Sequence, residues 1–368
     1  MPLLWFKHIS KALKELGMKQ SKHDECLWYG NNLVLVQYVD DFGLGAPSMD
    51  IIDDLVKKLE KKGFKLTKES SFTEFLGIKF EKKKDGSIEL TQKGLIDKIL
   101  TAAGMEDCNP NSLPTAMCAL GADKDGEPIN EIWNHRAIVG MLLYLSTNTR
   151  CDISFAVSQV ARFSNDPKKS HATAIKMILR YLKKTRDKGM IVRPLDKFIL
   201  DLYVDADFCG LFKREDDRDP NVARSRSGWV ILLCGCPLVW KSQLQGHITQ
   251  STTEAEYSVL STALKTFLPL KDLIGEMVEN MDTHHLEDTT IHASVFEDNQ
   301  SAYYLATNQR LTNRTKYFLA KWHWFWECYN NGVFKIYKCP TNEQLADYTT
   351  KALPREVFER NRLAVQGW

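Results

Sequence analysis

The sequence predicts a mixed α/β protein of more than one domain. Short β-branched runs alternate with amphipathic stretches, turn residues punctuate them, and 368 residues is more than twice the ~150 of a nominal domain. Leu4, Ile9, Leu13 and Leu16 recur at helical spacing, with Gly17 as C-cap and no N-cap ahead of them. Residues 33–39 read as a strand, Asp40-Asp41 as a turn and residues 42–45 as the return strand. Residues 49–62 are an amphipathic helix, and 72–92 a β-rich stretch turning at Asp85-Gly86. Pro110, Pro114 and Pro128 mark 104–128 as a linker, and 131–188 is mostly helical. A new α/β unit begins near Lys197 with a strand over 198–204 and runs to about Leu353. The charged stretch 211–226, with Asp216, Asp217, Arg218 and Asp219, reads as a solvated loop.

Composition excludes several classes. With 43% hydrophobic and 26% charged residues and a mean hydropathy of −0.32, the chain is neither disordered nor collagen-like. No apolar run approaches the ~18–20 residues of a membrane span, and no signal peptide is visible. Lys and Arg total 49 against 47 Asp and Glu, so net charge announces no partner. Nine scattered cysteines include one close pair, Cys234-Gly235-Cys236, whose spacing suits neither a zinc site nor a redox pair. A reducing compartment, not secretion, is expected.

Two sets of carboxylates stand out. Asp40 and Asp41 repel one another at a hairpin tip; a cation such as Mg²⁺ would relieve them, although an ordinary Asp-rich turn looks the same. The second set is dispersed. Asp205 ends a largely apolar strand, with Asp207 as the alternative at that position. Ser251 and Glu254 form an S-x-x-E capping box, which leaves Glu256 on the face of Val259, Leu260, Ala263 and Leu264. A carboxylate on an apolar face needs a partner or a metal. A helix starting at Thr253 would instead turn Glu254 inward. Asp298 follows a strand over 291–296 and could serve as an N-cap. Thr341 and Gln344 make a further capping box, which puts Asp347 roughly two turns into a helix.

Leu13-Lys14-Glu15-Leu16-Gly17, Asp24-Glu25-Cys26-Leu27-Trp28, Tyr38-Val39-Asp40-Asp41 and Phe75-Leu76-Gly77-Ile78 resemble the reverse-transcriptase palm of copia-type (Ty/copia) long-terminal-repeat retrotransposons. Residues 90–97 resemble the start of the thumb. The resemblance puts Asp40 and Asp41 in the palm's metal-binding turn. It also puts the fingers, and the strand bearing a further palm aspartate, before residue 1. DNA synthesis by this chain alone is therefore not expected.

Val204-Asp205-Ala206-Asp207-Phe208-Cys209-Gly210, Ser225-Arg226-Ser227-Gly228-Trp229-Val230, Ser251-Thr252-Thr253-Glu254-Ala255-Glu256-Tyr257, Glu297-Asp298-Asn299-Gln300-Ser301-Ala302, Arg314-Thr315-Lys316 and Glu343-Gln344-Leu345-Ala346-Asp347 resemble the ribonuclease H domain of the same family. The resemblance implies an α+β palm fragment and helical connection followed by an RNase H-like α/β domain with a mixed five-stranded sheet. The segments are then 1–103 palm and start of thumb, 104–196 linker and connection, 197–353 RNase H-like domain and 354–368 C-terminal tail. Carried over, Asp205, Glu256, Asp298 and Asp347 hold two Mg²⁺ ions, with Mn²⁺ suited to the same oxygens. RNA–DNA hybrids, RNA and DNA are the expected partners, contacted through Arg314, Lys316, Lys183 and Lys184. The family's His-Ile-Asp run after Thr-Lys is replaced by Tyr317-Phe318-Leu319, and the loop before Asp347 lacks the histidine of cellular RNases H. The aromatic run from Trp322 to Trp326 reads as a packed helix, and His323 is given no chemical role.

The resemblance thus implies Mg²⁺-dependent cleavage of the RNA strand of hybrids, in the cytoplasm within virus-like particles or in the nucleus. A second chain would supply the rest of the palm. The alternatives are a non-catalytic nucleic-acid-binding remnant and a decayed element in which Met1 is an internal methionine.

Overall fold

A computed structural model describes residues 2–30, 32–69, 71–117, 120–212, 219–281, 288–308, 312–313 and 315–368. The chain gathers into two units, Met1–Phe75 with Thr266–Ile291, and Leu76–Lys265 with His292–Trp368. Arg314, Cys118 and loop residues 213–218 lie outside the described residues.

In the first unit, α1 (Pro2–Glu15) is ended by Gly17, whose φ of +83° is the left-handed conformation of a helix stop. Strands β1 (Lys19–Gln20), β2 (Leu27–Gly30), β3 (Leu33–Tyr38) and β4 (Asp41–Gly45) form an antiparallel sheet in that order, followed by α2 (Met49–Lys61) and β5 (Glu74–Phe75). The core joins Ile9 and Leu13 of α1 to Trp28, Leu35, Ile52, Leu55 and Leu59. Asp40 and Asp41 are exposed at the β3–β4 turn.

The second unit opens with the hairpin β6 (Ile78–Lys82) and β7 (Ile88–Thr91), turned at Gly86 with φ +85°. Helices α3 (Lys93–Ala102), α4 (His135–Asn148), α5 (Ser154–Ala161) and α6 (Lys169–Lys184) follow, and β8 (Met190–Val192) returns to pair with β7. A five-stranded sheet is then laid down: β9 (Ile199–Asp207), β10 (Arg226–Leu233), β11 (Cys236–Leu244), β12 (His292–Glu297) and β13 (Lys335–Lys338). Its order is β11-β10-β9-β12-β13; β10 is antiparallel to both neighbours, and β12 is parallel to β9 and β13. The sheet is mixed, as expected. Cys234 and Gly235 take φ of +51° and +78° and turn the β10–β11 hairpin, so this cysteine pair belongs to a turn.

Between β11 and β12 runs the long helix α7 (Thr252–Asn280), whose residues from Thr266 group with the first unit. There Glu276 is hydrogen-bonded by the Ser21 hydroxyl and by the Lys22 amide at 3.0 Å. Helices α8 (Gln300–Asn308), α9 (Lys316–Trp322) and α10 (Trp326–Asn330) precede β13, and α11 (Asp347–Thr350) and α12 (Arg355–Gln366) end the chain. The aromatic run is packed: Phe325 is buried and Trp324 donates to Ser261 Oγ at 2.9 Å.

Helices α4, α5 and α6 and the five-stranded sheet share one core. Leu142, Leu145, Val157, Val160, Ile175, Leu179 and Leu182 cluster with Val230, Leu232 and Trp240. Residues 354–368, expected as a tail, instead contain α12, with Phe358 and Val365 in that core and Gln366 fully buried. Gln366 Oε1 accepts from the Asp152 amide (2.8 Å), and its Nε2 donates to Gly189 O (3.0 Å). Asp152 also pairs with Arg150 at 2.7 Å, both side chains fully inaccessible, and accepts from the Tyr181 hydroxyl at 2.6 Å. Removing one member of a buried pair strands the other charge. Asp152→Ala is expected to cost about 3–5 kcal/mol, read as a lower urea midpoint for the second unit.

Candidate metal centre

The site is assembled at the ends of β9 and β12 by four elements. Asp205 lies on β9 opposite Gly228 of β10 and is 3% exposed. A side chain at 228 would collide with Thr349 and Thr350 of α11, so only glycine lets that helix close over Asp205. Thr350 Oγ1 donates to Asp205 Oδ2.

Glu256 occupies the first turns of α7. Ser251 Oγ accepts from the Glu254 amide at 3.1 Å, and Glu254 Oε2 accepts from the Gln250 amide at 2.8 Å, so Glu254 is spent on the cap. Glu256 therefore points inward with Val259, Leu260, Ala263 and Leu264, all fully buried. Its Oε2 is buried and has no hydrogen-bond partner among the described residues.

Asp298 is free of capping duty. Asn299 caps α8, its Oδ1 accepting from the Ser301 and Ala302 amides at 3.0 Å each. Oxygen atoms of Asp205, Glu256 and Asp298 lie within 4.8 Å of one another. Asp347 does not sit two turns into a helix. Residues 341–343 are an isolated 3₁₀ turn, Gln344 is extended, and Asp347 is the first residue of the four-residue α11. Gln344 donates instead to Val204 O at 2.8 Å, which fixes the start of α11 against β9.

Two members of the cluster escaped the sequence reading. Lys351 Nζ lies 2.7 Å from Asp347 Oδ1 and 3.7 Å from Asp205 Oδ2, a positive charge placed among the carboxylates. Its signal was its i,i+4 spacing from Asp347. Glu297 is fully buried; its Oε1 accepts from the Asn299 amide at 3.0 Å, and its Oε2 has no hydrogen-bond partner among the described residues. Strand alternation would have revealed it, since Ala293 and Val295, two and four residues earlier, are buried.

Electrostatics follow from this crowding. Burial, then Glu297, Asp205 and Asp298, push Glu256 well above the ordinary carboxylate range. Burial raises Glu297 likewise, with the Asn299 amide opposing and Asp298 and Asp205 adding to it. Burial and then Asp205 raise Asp298, and the same two causes lift Asp347 to about 6 against Lys351. Burial alone would depress Lys351, but Asp205 and Asp347 together raise it. Oxygen donors of like charge, one with an orphaned buried atom, fit a hard divalent cation such as Mg²⁺.

The metal-ligating group found among the described residues does not include the other sequence candidates. Asp40 and Asp41 are exposed in the first unit. Lys183 Nζ donates to Glu106 O and Lys184 Nζ to Ser112 Oγ (2.6 Å), tying α6 to the linker. Lys316 is exposed at the start of α9.

The family described as reverse transcriptase (RNA-dependent DNA polymerase) matches residues 1–117. Over 97% of its length the chain is 30% identical to the retrovirus-related Pol polyprotein from transposon TNT 1-94 of Nicotiana tabacum, covering 26% of that protein. It is also 30% identical to a putative transposon Ty5-1 protein of Saccharomyces cerevisiae, over 71% of this chain and 83% of that one. The chain belongs to the copia-type retrotransposon Pol family. It spans about a quarter of the length of the TNT 1-94 polyprotein. Among solved structures it is similar to the N-terminal RNase H domain of a Mycobacterium tuberculosis protein, at 13% identity and a TM-score of 0.28, over 46% of this chain and 99% of that one.

The buried carboxylates set the pH response of the metal-free Pol chain. Their folded-state pKa values are raised, so the folded state binds more protons than the unfolded state above pH ~4, and stability falls as pH rises. Without divalent cations, the melting temperature of the second unit is expected to fall between pH 4.5 and 7. Asp298→Asn raises it at pH 7 by at least the ~2–4 °C that 1 kcal/mol represents in a unit of this size. Calorimetry with chelator at the two pH values checks both.

Proposed function

We propose that this Pol chain cuts the RNA strand of RNA–DNA hybrids by Mg²⁺-dependent hydrolysis, leaving a 3′-hydroxyl and a 5′-phosphate. The observation that carries this reading is the convergence of Asp205, Glu256 and Asp298 from β9, α7 and the end of β12. With Asp347, these residues would hold two Mg²⁺ ions. Such a pair supplies an activated water and stabilises the leaving oxygen.

The chain's own residues set the conditions. The Thr350 hydroxyl fixes the orientation of Asp205, and the Gln344 amide anchors the start of α11, which delivers Asp347. Burial of Glu256 and Glu297 excludes bulk water from one side of the cluster. Lys351 keeps its charge and spaces Asp347 from Asp205. Lys316 and its neighbour Arg314, with Lys183 and Lys184, are the proposed phosphate contacts. Mn²⁺ would suit the same oxygens.

DNA synthesis is not expected of this chain assayed alone. Asp40 and Asp41 are exposed, and among the described residues no third carboxylate joins them in a metal-ligating group. The setting we infer is the cytoplasmic virus-like particle or the nucleus.

The test is cleavage of an end-labelled RNA–DNA hybrid. Cleavage is expected with Mg²⁺, absent with chelator, and at least about 100-fold slower for Asp298→Asn, beyond the 10- to 100-fold cost of losing a residue that only supports a ligand. Hybrid bound but left intact by the wild-type chain would overturn the nuclease reading in favour of a non-catalytic nucleic-acid-binding protein.

A further inference from the structure

A cavity of about 310 Å³ opens beside the carboxylate cluster, at the small end of the ~300–1,000 Å³ of ligand pockets. Gln159 and Phe155 of α5 line it, together with Asp207, Arg224, Arg226 and Lys351. Arg226 is its unusual member, a guanidinium only 3% exposed. Buried arginine is normally paired with a carboxylate. Here Nη1 donates to Ser158 Oγ at 2.7 Å and Ser242 Oγ at 3.2 Å, and Nη2 donates to Gln159 Oε1 at 3.3 Å. All three acceptors are neutral. They fix the plane of the fork, with the Phe155 ring 5.3 Å from it, without cancelling its charge.

Two further charges bear on this guanidinium. Asp207, its register partner across β9 and β10, favours the charged form, while Arg162 opposes it. Burial, the largest cause, acts with Arg162 against Asp207 and brings Arg226 down to about 9. Arg224 adds a second cation to the described lining against Asp207, while Lys351 is offset by its pairs with Asp347 and Asp205. An excess of oriented positive charge in a concave, partly apolar site fits an oxyanion with tetrahedral oxygens, which a guanidinium fork can grip bidentately.

We propose that this cavity seats a backbone phosphate of the nucleic-acid strand being cut, gripped by Arg226 and Arg224. The inference rests on the nuclease reading above. Because Lys351 both lines the cavity and pairs with Asp205 and Asp347, a strand held here lies beside the carboxylates. Connection helix α5, through Ser158 and Gln159, is then part of the substrate-positioning apparatus of the sheet it packs on.

Steady-state cleavage of a labelled hybrid by the full chain, at several salt concentrations, tests this. Arg226→Gln is expected to raise KM about tenfold with kcat within about threefold, and to make log KM depend less steeply on log salt by about one unit, as loss of one phosphate contact does. Arg224→Gln, which alters a half-buried side chain, should show the same change in slope and keeps the test valid if Arg226→Gln does not fold. A hybrid carrying one neutral methylphosphonate, scanned along the cut strand, should weaken wild-type binding at one position where Arg226→Gln shows no further loss. That position identifies a strand phosphate and not a free anion as the occupant. Wild-type KM and salt slope in both variants would overturn the proposal while cleavage by the parent chain leaves the nuclease reading intact. A parent chain that cuts no hybrid overturns both.

Discussion

Mutual repulsion among buried carboxylates is the constraint on which the second unit is built. Asp205, Glu256, Glu297, Asp298 and Asp347 are brought from β9, α7, β12 and α11 into a region too dry to screen them. Left to local preferences these groups would separate, so the surrounding structure must force them together. Gly228 leaves room for α11, Asn299 takes over the cap of α8, and Glu254 takes over the cap of α7. Lys351 offsets part of the cost in the absence of a divalent ion. A cation bound there would return stability to the folded state.

The supports reach well beyond the carboxylates. The strands β10 and β11 pack against α4, α5, α11 and α12, and α6, packed on α5, joins the same core; this packing is held at one end by the Arg150–Asp152 pair and by Gln366. These helices also present Ser158 and Gln159 to Arg226. The carboxylate cluster, the arginine-lined cavity and helices α4, α5 and α6 are parts of one packed unit.

Much of this was legible in the sequence because the relevant signals are local. Glu256 could be assigned since the S-x-x-E box consumed Glu254 and the 3.6-residue period put Val259, Leu260 and Ala263 on its face. Strand β9 followed from its apolar run, but it continues to Asp207, so Asp205 lies within the strand and not at its end. What failed depended on tertiary choices. Thr341 and Gln344 have capping-box spacing, yet the Gln344 side chain finds Val204 O, and the helix waits until Asp347. Residues 354–368 look polar enough for a tail, but Phe358 and Val365 find a core supplied by distant segments. Glu297 was hidden by its neighbour, because Asp298 drew the functional assignment while strand alternation pointed Glu297 inward.

The shared core of connection and sheet has a consequence for how such a chain can be divided. Val230, Leu232 and Trp240 share a core with residues of α4, α5 and α6, and the Trp240 indole N–H donates to Ser146 O at 2.7 Å. A boundary drawn just before β9 would uncover that core and leave a buried donor without an acceptor. The five-stranded sheet is therefore expected to depend on the helices that share its core, the C-terminal helix α12 included. A gene rearrangement that moved the sheet alone would transfer the carboxylates without the body that holds them against their own repulsion.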